Sequence, residues 1–227
     1  MARQMSKGTC HLCGSTFSKS AMTRHLKSCK QKEQNSGTSS PGRSPRKTDT
    51  FHLMVEGRYQ PHYWMHLEVP ADAKLDALDD FLRRTWLECC GHMSAFTIED
   101  RMYSVAPMAE FGDKSMNVKL AQVLSPGMRF YHDYDFGTTT YLALKVVSQR
   151  QSQIKGKSIQ VLARNEPPPI PCMSCGKMAA QVCTDCLWSG AEGWLCDQCA
   201  AEHECGEELL LPVVNSPRVG MCGYTGD

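Results

Sequence analysis

Apolar positions are regular only in the middle of the chain, between residues 50 and 165. Residues 51–56 and 62–69 read as two strands joined by a turn around Gly57 and Pro61. Asp72 is placed to cap a helix, because its carboxylate can accept from free N–H groups of a first turn. Leu75, Leu78, Phe81, Leu82, Thr85, Trp86 and Cys89 then recur at helical spacing as one apolar stripe that Gly91 ends. Residues 95–99 and 102–105 form an expected hairpin. A shorter helix follows over 117–124, with Leu120, Val123 and Leu124 inward and Ser125-Pro126-Gly127 as its stop. Residues 129–136 and 139–147 read as strands meeting near Gly137, and 158–163 as a last strand. Strands and helices do not alternate strictly. The pattern predicts an α+β class: a mostly antiparallel sheet with one long helix across it, flanked by two small modules.

The flanks are sparse in apolar residues and rich in cysteine. Residues 8–30 form a compact piece. Residues 31–49 lack apolar side chains other than proline and read as a flexible basic linker, since nothing there offsets the entropy of ordering. The α+β piece spans 50–165, a proline-rich spacer 166–171, a cysteine-rich module 172–208, and a turn-rich tail 209–227.

In the first flank, Cys10-x2-Cys13-x11-His25-x3-Cys29 has zinc-ligand spacing. A CxxC turn supplies two ligands, and a His and Cys four apart supply two from one helix face. Phe17 and Met22 stand where a ββα finger places its small core. The segment resembles a C2H2-type finger with a final cysteine, one residue short of the usual twelve between the pairs. His11 reads as an exposed bystander. Counting back from His25, the base-reading positions fall on Ser18, Ala21 and Arg24, and only Arg24 suits a base edge. Lys19, Arg24, Lys27 and Lys30 are the candidate nucleic-acid contacts, through phosphate and with little sequence preference.

The second flank reads Cys172-x2-Cys175-x7-Cys183-x2-Cys186-x9-Cys196-x2-Cys199-x3-His203-x-Cys205, eight ligands for two tetrahedral ions. Interleaving predicts a cross-brace: Cys172, Cys175, Cys196 and Cys199 on one ion; Cys183, Cys186, His203 and Cys205 on the other. A sequential pairing is the alternative. The piece resembles the MYND, B-box and ZZ group of zinc modules. Four protein ligands close each site, so the zinc is structural, and three ions are expected in the whole chain. Trp188 and Trp194 either pack the small core or form an exposed peptide-binding surface. Cys222 reads as a free thiol.

Charge changes the picture. Lysine and arginine total 25 and aspartate and glutamate 24, for a net of +1. Yet residues 1–50 hold ten basic and two acidic groups, a net of +8, while residues 166–227 hold two and nine, a net of −7. The basic end suits phosphate; the acidic end disfavours it and points to a protein partner. No apolar run is long enough to cross a membrane. Residues 1–7 are polar, without a signal-peptide core, so a cytoplasmic location is expected. There, CxxC pairs read as metal ligands rather than disulfides.

Within the middle piece, LDALDDFLRRTWLECCGHMSAFTI and YHDYDFG resemble the Ri-plasmid open-reading-frame-three family, over roughly residues 50–170. Its members are often labelled transposon-passenger, resolvase-like proteins, which implies association with mobile elements and DNA. Tyr134, Asp135, Phe136 and Gly137 match its motif; Thr138, Thr140 and Tyr141 stand where the family tends to have Asp, Trp and His.

Catalysis has two candidate footholds. Asp133 and Asp135, two apart on a strand, share a face and could share a magnesium ion, as in a metal-dependent nuclease or recombination accessory. Cys89 and Cys90 with His92 suggest a thiol nucleophile, but Cys89 belongs to the apolar stripe, where a thiol is inert. The leading expectation is a non-enzymatic zinc-binding adaptor: basic finger on nucleic acid, acidic module on a protein partner. A pure protein-interaction scaffold is the further alternative.

Overall fold

The computed structural model describes residues 6–35, 48–152 and 158–226. Most of the expected linker, 36–47, lies outside them. In chain order the elements are β1 (Lys7–Cys10), β2 (Thr16–Ser18), α1 (Lys19–Asn35), β3 (Thr48–Gly57), β4 (Trp64–Pro70), α2 (Leu75–Leu82), β5 (Ser94–Ile98), β6 (Arg101–Ser104), β7 (Lys114–Ser115), α3 (Leu120–Val123), β8 (Arg129–Tyr134), β9 (Thr140–Ser152) and β10 (Gln160–Asn165). The cysteine-rich end adds β11 (Gln181–Cys183), α4 (Thr184–Trp188), β12 (Trp194–Leu195), α5 (Asp197–Ala201) and β13 (Leu210–Pro212).

Ten strands form one sheet in the order β2-β1-β10-β4-β3-β9-β8-β5-β6-β7. Every neighbouring pair is antiparallel except β6 with β7. A second sheet, β12-β11-β13, belongs to the cysteine-rich end. The α+β class with a mostly antiparallel sheet is therefore present.

The single long helix across the sheet is not. The apolar stripe from Leu75 forms α2 for eight residues, then widens into a π-helical turn over Arg83–Leu87 and ends at Glu88. Lys74, not Asp72, occupies the position before the first turn, and no side chain caps it. Cys89 thus lies beyond the helix.

Strand alternation explains why β4 is buried along its whole length. Met65, Leu67 and Val69 enter the main core with Leu53, Val55, Leu78, Leu82 and Trp86. Trp64 enters a second core on the other side, with Met22 and Leu26 of α1 and Leu162 of β10. His66, on the same face as Trp64, reaches Thr23 of α1 at 3.4 Å. The N-terminal finger is therefore not a bead on a linker. Its first strand continues the large sheet, with Gly8 opposite Asn165. A side chain at Gly8 would run into the Trp64 ring and the Arg164 carbonyl oxygen, so glycine permits this close approach.

Candidate metal centres

Among the described residues, four groups of Cys and His donors lie with their ligand atoms within 4.8 Å of one another, and each could hold a metal ion. Three coincide with the expected sets.

The first joins Cys10, Cys13, His25 and Cys29. Cys10 ends β1, and the turn that follows closes by Cys10 N–H donating to the Ser15 carbonyl at 2.9 Å. His25 and Cys29 sit four apart on α1. Cys13 Sγ and His25 Nε2 are 3.3 Å apart. Phe17 stacks on the His25 ring at 4.2 Å, fixing its orientation. Ser15, through its hydroxyl and then its backbone N–H, holds the Cys13 thiol down to about 6. Burial, then the neighbouring thiols, pushes Cys29 up to about 12. A divalent cation relieves such crowding by stabilising every thiolate at once.

The second joins Cys172, Cys175, Cys196 and Cys199, and the third Cys183, Cys186, His203 and Cys205. This is the interleaved arrangement. Cys175 and Cys196 sulfurs are 3.5 Å apart. Cys186 Sγ lies 3.4 Å from His203 Nε2 and 3.8 Å from Cys205 Sγ. Gly193 has φ 68, and a side chain there would meet the Cys183 carbonyl at 2.7 Å; only glycine lets the two chain segments approach. Cys172, Cys183, Leu195, Cys196 and Ala200 form the module's own core, so the ligands themselves make up much of it.

The fourth group, Cys89, Cys90, His92 and Cys222, was not legible as a site. Cys222 is not an isolated thiol, and Cys89 is not sealed in an apolar stripe. The pattern Cys-Cys-x-His lacks the CxxC spacing, and its last ligand is 130 residues distant from His92. The available signal was three donors in four residues immediately after a helix.

The candidate nucleic-acid residues are divided. Lys19 forms an ion pair with Glu56 and donates to the Pro61 carbonyl at 3.0 Å. Arg24 and Lys27 are exposed, and the side chain of Lys30 lies outside the described residues. Asp133 and Asp135 do not share a strand face. The strand ends at Tyr134, and Asp135 takes φ 65, which breaks the alternation. Its carboxylate accepts from Arg218 Nη2 and the Thr138 hydroxyl, each at 2.8 Å, and from Gly137 N–H at 3.0 Å. Burial opposes its ionisation, but these donors hold it well below the usual carboxylate range. Burial pushes Asp133 up. His132 is fully buried against Asp79, 2.6 Å away.

No family model matches the chain, and no curated protein matches it. A crystal structure of a protein of unknown function from Methanosarcina mazei Go1 is similar over 53% of this chain and 72% of its own, with a TM-score of 0.45 and 13% identity. Among the described residues, no helix is long and apolar enough to cross a membrane.

Proposed function

We propose that the three expected ligand sets bind three structural zinc ions and that the chain is a non-enzymatic adaptor. Soft thiolates with at most one imidazole favour zinc, and four protein ligands leave no position for substrate. The observation that carries the adaptor reading is Trp188. It is 66% exposed, and Asp185, Glu192, Asp197, Glu202 and Glu204 in the same module are exposed as well. An exposed large aromatic in a module whose carboxylates are also exposed suits a partner segment that is both apolar and basic. A cleft of ≈ 470 Å³ between the module and the sheet domain is lined by Pro168, Pro169, Ile170, Glu192, Trp194 and Met221. Trp194 itself packs against the main core.

In the N-terminal piece, exposed Arg24 and Lys27 on α1 suit phosphate. The docked face of α1, with Met22 and Leu26, faces the sheet, so contact is made by the outer edge and carries little sequence preference.

Gel-shift titration of the full chain against DNA and RNA at low salt tests the first half. Binding that weakens with salt and is lost in Arg24→Glu/Lys27→Glu supports it. No shift at low salt removes the nucleic-acid half and leaves a protein-interaction scaffold. For the second half, pull-downs from native cells with wild type and Trp188→Ala are compared. A partner retained equally by both overturns the role given to Trp188.

A further inference from the structure

We infer that Cys89, Cys90, His92 and Cys222 bind a fourth zinc ion, which clasps the segment after β13 onto the sheet domain. The first argument is geometric. A tetrahedral zinc with Zn–S near 2.3 Å and Zn–N near 2.0 Å sets sulfurs about 3.8 Å apart and sulfur–nitrogen pairs about 3.5 Å apart. Cys90 and Cys222 sulfurs are 3.8 Å apart, and those of Cys89 and Cys90 3.5 Å. His92 Nε2 lies 3.0 Å from Cys90 Sγ and 3.2 Å from Cys222 Sγ. The sulfur–sulfur separations equal the 3.5 and 3.8 Å found at the expected sites, and the sulfur–nitrogen ones are somewhat shorter than the 3.3 and 3.4 Å there. A disulfide requires sulfurs about 2.05 Å apart, and no pair here approaches that.

The second argument is that both halves of the clasp are built in advance. Glu88 braces the first: its carboxylate accepts from Gly91 N–H at 2.6 Å, the Tyr134 hydroxyl at 3.0 Å and Arg83 Nε at 2.6 Å. The second half is pinned just upstream. Ser216 donates its hydroxyl to the Trp86 carbonyl at 2.6 Å, and Asn215 exchanges hydrogen bonds with Asn165 at 2.7 and 2.8 Å. Cys222 has φ 48, a left-handed backbone that non-glycine residues adopt only where surroundings over-determine it.

The third argument is charge. Three thiolates on a dication leave the site at −1; Cys90 and Cys222 face solvent, and the half-buried Cys89 is the sulfur that needs a protein donor. Arg218 is fully buried and donates Nη2 to Cys89 Sγ at 3.3 Å. The same guanidinium bonds Asp135, the Thr138 carbonyl and Thr140 Oγ1. A hydrogen-bonded cation on a ligand sulfur is the usual outer support of such a site. It also gives this buried arginine a role that Asp135 alone does not exhaust.

The test is zinc per chain, measured on the reduced, full-length protein by native mass spectrometry and elemental analysis. The expected count is four, with three in Cys222→Ser and four again in His92→Cys, which keeps four donors. Three in the wild type, or an unchanged count in Cys222→Ser, overturns the inference. Should Cys222→Ser misfold, cobalt loading of the wild type decides: absorption for four tetrahedral thiolate sites supports the clasp, and for three overturns it. Hydrogen exchange over residues 215–226 should rise in Cys222→Ser while Cys10→Ser leaves that segment protected. This outcome is independent of whether the chain binds nucleic acid.

Discussion

The two ends of the chain use the same ligand chemistry and solve stability differently. The N-terminal finger leans on a neighbour. Its strand β1 pairs with β10, and Met22 and Leu26 are buried with Trp64 and Leu162. The C-terminal module has its own three-stranded sheet, and its core consists largely of the ligand cysteines with Leu195 and Ala200. It reaches the main core through Val182, with Leu187, Trp194 and Leu211 packed against it, but shares no sheet with it. The comparison teaches that a zinc site can be either the fastener of a fold or the fold's main substance. Loss of metal should leave a docked finger in the first case and an unfolded segment in the second.

The largest effect is expected at Cys183→Ser. Structural zinc contributes an apparent folding energy on the order of 10–16 kcal/mol in small finger peptides, far beyond what so small a core supplies. Amide protection over residues 172–208 should collapse, with the large sheet unaffected. Equal loss across the whole chain would break the comparison. Leu26→Ala sharpens the other side. Removing a buried leucine costs about 2–5 kcal/mol, and the loss should appear as undocking of α1 with zinc still bound. Cooperative unfolding of β8 and β9 in that variant would show the finger to be integral to the sheet.

Acid probes the same interface. Burial, then the Lys19 charge, holds His66 down at about 4, against 6.5 for an unperturbed side chain. In that interval the unfolded chain takes up the proton first, so stability rises with pH. The contribution is full above about pH 6.5 and is lost as pH falls toward 4, on the order of 3 kcal/mol in all. His66→Gln should flatten this slope in denaturant titrations run from pH 7 to 5 in excess zinc. An unchanged slope would remove His66 from the interface energetics. The smallest effect is expected at Lys19→Ala. Its ion pair with Glu56 is partly solvated, and such pairs contribute about 0–1 kcal/mol. Urea midpoints should barely move.

What could be read from sequence was local. CxxC turns and the His and Cys four apart on α1 encode ligand geometry within a few residues, so three sets were legible. The strands of the middle piece were legible because alternation is a short-range signal. The rest depended on distant partners. Nothing near Gly8 announces Asn165 as its opposite residue, although an unneeded glycine before Cys10 hints at a crowded backbone. The helical stripe ran past Leu87 on paper because periodicity does not register a π-helical widening. Asp135 kept its place in the strand pattern but not in the strand, since Arg218 turns its carboxylate aside. Cys222 joined a site only through the return of the chain across the domain.

That return has a consequence for biosynthesis. Ser216, Arg218 and Val219 are buried in the body of the protein, yet the ribosome makes them after every strand of the large sheet. Until they emerge, the Trp86 carbonyl lacks the Ser216 hydroxyl, and the Asp135 carboxylate and the Thr140 hydroxyl lack the Arg218 guanidinium. Chains halted before residue 216 would therefore carry an open seam in the middle domain and a mark of incompleteness that cellular proteolysis can recognise.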